Sequence, residues 1–122
     1  MSDVWVSHAD LAEAIGETGS VILCAQCGGR SLYIPRKPTG YLLALLGPQR
    51  MAALCGEFGG MQIVVPNLRR GEPFKSQIIA RLEAGEKPDS IAGAIGVTTR
   101  YVRRLASQIR ANPEGPQQYR LL

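Results

Sequence analysis

No stretch of this chain is apolar for the roughly 18 residues that crossing a bilayer would need, and no membrane association is expected. The opening Met1-Ser2-Asp3-Val4-Trp5 lacks the basic, then apolar, order of a secretory leader. Both absences point to a cytoplasmic protein. Cysteine is scarce and odd in number, at Cys24, Cys27 and Cys55. Without a secretory signal, such a set argues against a disulfide framework and predicts reduced thiols. Cys24-Ala-Gln-Cys27 has the spacing of a zinc half-site, but a second close pair is missing, and Cys55 and His8 are remote in sequence. The spacing fits equally two core-facing side chains on one helix, where free cysteine behaves as a small hydrophobe, and this is the reading preferred here. The single histidine, His8, sits at a helix start and is expected to play a plain surface role. Nor does the sequence hold paired acids at metal-ligand spacing, a phosphate-cradling G-x-x-x-x-G-K-S/T run, or a Ser/His/Asp arrangement. An enzyme is therefore not expected, and no metal or cofactor is implied.

The 122 residues, 45% of them apolar, suffice for one compact domain or for two small ones that share a core or a dimer interface. Charge is unevenly distributed: residues 1–68 carry 4 Lys/Arg against 5 Asp/Glu, whereas residues 69–122 carry 10 against 5. A basic second half suits a polyanionic partner.

Read from the start, Ser7 is a plausible N-cap, with Leu11, Ala12 and Ile15 at helical spacing before Gly16 stops the segment. A second helix over about 18–27 closes at Gly28-Gly29, and Ser31–Ile34 reads as a strand stopped at Pro35. Thr39 can cap Tyr41–Leu46, Pro48 suits the first turn of a helix through Phe58, and Gly59-Gly60 precedes a strand, Met61–Val65, stopped at Pro66. These passages repeat. Cys24, Gly28, Gly29 and Pro35 recur as Cys55, Gly59, Gly60 and Pro66, each 31 residues on. The repeat, over 24–36 and 55–67, predicts a short two-stranded element that needs cover from its own helices or from a second subunit. Residues 1–68 are accordingly expected to form an α+β dimerisation region in a mainly α protein. The alternative is a self-contained monomeric core.

Asn67–Pro73 reads as a linker. Phe74, Ile78, Ile79 and Leu82 mark a helix over about 72–84, and residues 88–109 then carry the pattern of a helix-turn-helix. Ala92 is small where two helices must cross, Gly96 permits a left-handed turn, and Ile91, Ile95, Val97, Val102 and Leu105 supply a small core. Thr98 can cap the second helix, expected over 98–110, and no acid lies between Thr98 and Arg110. In such a motif the second helix enters the major groove. Thr99, Arg100 and Arg103 are expected at base edges, and Thr98, Arg104 and Gln108 at the groove edge or phosphates. Tyr101 is expected either to pack against the preceding helix or to touch the DNA backbone. The DNA-binding domain is thus placed at 69–110, followed by a flexible tail over 111–122.

Gly28-Gly29-Arg30-Ser31-Leu32-Tyr33-Ile34-Pro35-Arg36, followed by a later helix and a C-terminal helix-turn-helix, resembles the Mor/C family of Mu-like phage transcription activators. The likeness covers most of residues 24–110, with the strand motif doubled. It implies a phage or prophage regulator acting in the bacterial host cell on the nucleoid. It further implies a homodimer joined through its N-terminal strands, with paired helix-turn-helix motifs on adjacent major grooves of double-stranded DNA and RNA polymerase as a partner. The alternative function is a DNA-recognition subunit of phage packaging or assembly.

Overall fold

The computed structural model describes residues 3–111; the tail expected to be flexible lies, from residue 112, outside the described residues. Among them the protein is mainly helical, with six helices and one three-stranded sheet, and it divides into two compact units at Gly71/Glu72.

The first unit runs β1 (Val4–Trp5), α1 (His8–Cys27), β2 (Ser31–Tyr33), α2 (Gly40–Leu46), α3 (Pro48–Phe58) and β3 (Gln62–Val64). Ser7 caps α1 as its position predicts, its side chain accepting from the Asp10 amide at 3.2 Å. Gly16 interrupts α1 with φ 82° and ψ 163°, so the two expected helices follow one another across a kink. His8 departs from its expected surface role by bridging that kink. Its Nδ1 lies 2.7 Å from Ser20 Oγ and its Nε2 3.2 Å from Glu17 Oε1.

The sheet has the order β1-β3-β2, one strand more than the repeat predicts. β2 and β3 pair antiparallel, as Ser31–Val64, Leu32–Ile63 and Tyr33–Gln62. β1 adds in parallel on the far side of β3, where the Val6 amide donates to the Val64 carbonyl at 3.2 Å. Two residues are too short a strand for alternation to show in a sequence, which is why β1 was not anticipated.

The pairing carries an internal two-fold axis through Leu32 and Ile63, which are themselves 31 residues apart. The flanking hydrogen bonds obey it. Gly29 donates to Val65 O at 2.8 Å and Gly60 to Ile34 O at 2.7 Å; Ile34 donates to Met61 O at 2.9 Å and Val65 to Arg30 O at 2.9 Å. The helix ends match too, with Gly28 N–H to Cys24 O at 2.9 Å and Gly59 N–H to Cys55 O at 2.8 Å. Even the break in α1 has its counterpart, for Gly47 separates α2 from α3 at φ 87° and ψ 165°. Both glycines hold a positive φ that side chains with a Cβ adopt only at a cost.

The core of this unit is filled by equivalent positions: Leu11 and Leu42, Ile15 and Leu46, Leu23 and Leu54, Cys27 and Phe58, Ile34 and Val65. Each large aliphatic removed from water here contributes about 1.5–3 kcal/mol. All three cysteines are buried and unbridged. Burial pushes the Cys24 thiol up from its ordinary value, against an opposing hydrogen bond with Ser20, and burial also raises Cys27.

The second unit begins at Glu72 and contains α4 (Lys75–Glu83), α5 (Pro88–Ile95) and α6 (Thr99–Ala111). Ile78 and Ile79 of α4, Ile91 and Ala92 of α5, Val97, and Tyr101, Val102 and Leu105 of α6 are buried together as its core.

Candidate nucleic-acid interface

The joint between α5 and α6 fixes how α6 is presented. Pro88 opens α5, where a missing amide hydrogen costs nothing, and Asp89 sits in its first turn beside the positive helix end. Gly96 ends the helix in the left-handed region at φ 90° and ψ 41°. From there the Gly96 and Val97 amides both return to the Ala92 carbonyl, at 2.9 and 3.2 Å. Only three residues, Gly96-Val97-Thr98, separate the helices, and Val97 is buried beneath the turn. Thr98 then caps α6, with Oγ1 accepting from the Tyr101 amide at 3.0 Å.

α6 divides sharply along its length. Tyr101, Val102 and Leu105 are buried and Ile109 is half-buried on one side, whereas Arg100, Arg103, Ser107, Gln108 and Arg110 are exposed. Thr98, Thr99 and Arg104 are half-buried at the margins. Positions 100, 103, 107 and 110 follow the three-and-four spacing of one helix face. Thirteen residues at 1.5 Å each give α6 a length of about 20 Å, and an α-helix fits a major groove about 12 Å wide.

Of the seven residues read from the sequence as DNA-facing, Arg100, Arg103 and Gln108 stand on or beside this face, with Thr99 and Arg104 along its edges. Thr98 is occupied as the helix cap. Tyr101 is the correction. It is 1% exposed, and its hydroxyl donates to Glu72 Oε1 at 2.8 Å, so it ties α6 to the start of its own unit and offers nothing to a ligand. The i, i+3 spacing from Val102 and Leu105 left this residue on the boundary of the buried side, and only its packing decides which side it takes. Ser107 and Arg110 were missed, although they lie four and seven residues beyond Arg103 on the same face.

Electrostatics adds a second correction. The sequence of α6 holds no acid, but the fold brings one to it: Asp89 Oδ1 of α5 lies 3.6 Å from the Arg103 guanidinium. Both side chains are largely exposed, so the pair contributes at most about 1 kcal/mol to stability and yields readily to a stronger anion. Over residues 72–111 there are seven Lys/Arg against four Asp/Glu, and four of the cations lie on α6. The arrangement can take up phosphate oxygens and present guanidinium forks to base edges. Among the described residues no group of three or more His, Cys, Asp or Glu side chains could hold a metal ion, and no helix is long and apolar enough to cross a membrane.

No family model matches the chain, and comparisons with curated proteins and with solved structures likewise return no match.

Proposed function

We propose that this protein is a sequence-specific regulator that binds double-stranded DNA, with α5 and α6 acting as a helix-turn-helix and α6 lying in the major groove. The observation that carries the reading is the exposed face of α6, where Arg100, Arg103 and Arg110 share one side opposite buried Val102 and Leu105. A solvated helix that merely packs in a trihelical bundle gains nothing from collecting arginines without interleaved acids, because like charges at helical spacing repel. A phosphate lattice offers such a face far more negative charge than the exposed Asp89–Arg103 pair does. Arg100 and Arg103, nearest the helix N-terminus, are the residues assigned to base edges; Arg104 and Arg110 are assigned to phosphates.

The resemblance of Gly28–Arg36 to the Mor/C regulators supports a phage or prophage setting, with RNA polymerase as the further partner. The chemistry this requires is binding alone, and no catalytic role is proposed. Affinity for a duplex should fall steeply with salt, the logarithm of the binding constant losing about 0.9 per logarithmic unit of salt for each phosphate neutralised. Fluorescence anisotropy of a labelled duplex across 50–200 mM salt checks this, and a flat response would sink the proposal.

A further inference from the structure

The internal two-fold axis of the first unit bears on how many chains a DNA site accepts. Identical motifs paired across a two-fold axis are the usual form of an isologous homodimer, in which each subunit contributes one copy. Here one chain contributes both. The backbone groups of Gly29, Arg30 and Ile34 bond those of Gly60, Met61 and Val65, so each motif already has its partner. β3 is paired on its second side as well, by β1, and has no edge to lend to another copy. β2 keeps an outer edge, but three residues make too short a ladder to hold two proteins together. Against two strand motifs, the described residues contain one α5–α6 pair.

We infer that this protein engages DNA one chain at a time, on a single asymmetric site, and that its N-terminal unit is a one-chain equivalent of a two-fold dimer. The inference rests on the DNA-binding reading for the nature of the site and on the strand register for the stoichiometry. A homodimer joined by such strands would present two recognition helices related by symmetry and would read an inverted repeat, with half-sites about one helical turn apart. One helix per closed sheet reads one block of bases.

Two measurements on the full chain test this separately. Ser31 and Val64 are opposite one another, and the Val64 carbonyl is turned toward β1, so theirs is a non-hydrogen-bonded pair with Cα atoms about 4.5 Å apart. That spacing accepts a disulfide. Oxidised Ser31→Cys/Val64→Cys protein should run on a non-reducing gel as a single chain of 13.2 kDa; a covalent dimer would show that the strands exchange between copies and would overturn the inference. Light scattering on the wild-type complex with a duplex selected from a randomised pool should give one chain per duplex, on a sequence without inverted symmetry. Two chains on an inverted repeat would overturn the inference while leaving DNA binding intact. A pool that shows no enrichment would remove the DNA reading itself, and the inference with it, even if the cross-link formed within one chain.

Discussion

The two units of this chain place their charges differently, and the difference separates what holds the protein together from what it offers to a partner. Residues 3–71 carry six Lys/Arg and five Asp/Glu, and that unit's defining feature is a repeat that pairs with itself. In the second unit Arg100, Arg103 and Arg110 of α6 collect on one exposed face, while Tyr101, Val102 and Leu105 of the same helix are buried. Glycine makes the same contrast. Gly16 and Gly47 break helices at equivalent points so that two similar halves can close on each other, whereas Gly96 turns the chain once so that α6 projects a chosen face.

The comparison breaks most visibly under truncation of the first unit's core. Leu54 is fully buried in the same core as its repeat equivalent Leu23. Leu54→Ala should lower the unfolding free energy by about 2–5 kcal/mol, read from denaturant titration, while the base preference of the folded fraction stays as it is. A shift in base preference would mean that the first unit takes part in reading DNA.

The raised thiols of the same unit give a pH signature that the second unit, which has no cysteine, lacks. Cys24 and Cys27 hold their protons more tightly when folded than when unfolded, because burial disfavours the thiolate. Their contribution is therefore complete below the ordinary thiol value of 9.0 and is lost as pH climbs through and beyond it. Wild-type stability should decline above about pH 9, and Cys24→Ala/Cys27→Ala should flatten that decline. An unchanged alkaline slope in the double variant would show that the thiols are not its source.

Tyr101 sharpens the contrast inside α6 itself. Tyr101→Phe removes the hydroxyl that meets Glu72 and should lower stability by about 1 kcal/mol, with DNA affinity unaltered at fixed salt. Loss of DNA affinity without loss of stability would return Tyr101 to the binding face. The smallest effect is expected at Asp89. Asp89→Asn releases Arg103 from its ion pair and should tighten duplex binding a few-fold, since an exposed pair is worth about 0.2–1 kcal/mol. Weaker binding in this variant would contradict the assignment of Arg103 to the DNA-facing side.

Much of this architecture is legible in the sequence. The 31-residue repeat showed itself at Cys24/Cys55, Gly28/Gly59 and Pro35/Pro66, because helix ends and strand stops demand particular residues. Its helical portion showed less plainly, since Ile15 and Leu46, or Cys27 and Phe58, share burial rather than identity. That the two strands pair with each other was expected from the repeat, but the parallel addition of β1 on the far side of β3 was out of reach, because two residues carry no readable alternation. In the second unit, Gly96 and the run Ile91–Leu105 announced the turn and core behind it. The Asp89–Arg103 approach joins two helices across that turn and leaves no mark in the spacing of either.

The central claim is that the arginine face of α6 reads DNA, and the most direct test is selection of duplexes from a randomised pool at fixed physiological salt. Wild-type protein and an Arg100→Ala/Arg103→Ala/Arg110→Ala variant would be run in parallel, with thermal unfolding confirming that both are folded. The account predicts that the wild type alone enriches a defined sequence, each base-contacting arginine being worth about 1–3 kcal/mol of discrimination. Equal enrichment by both proteins, or none by either, would contradict it.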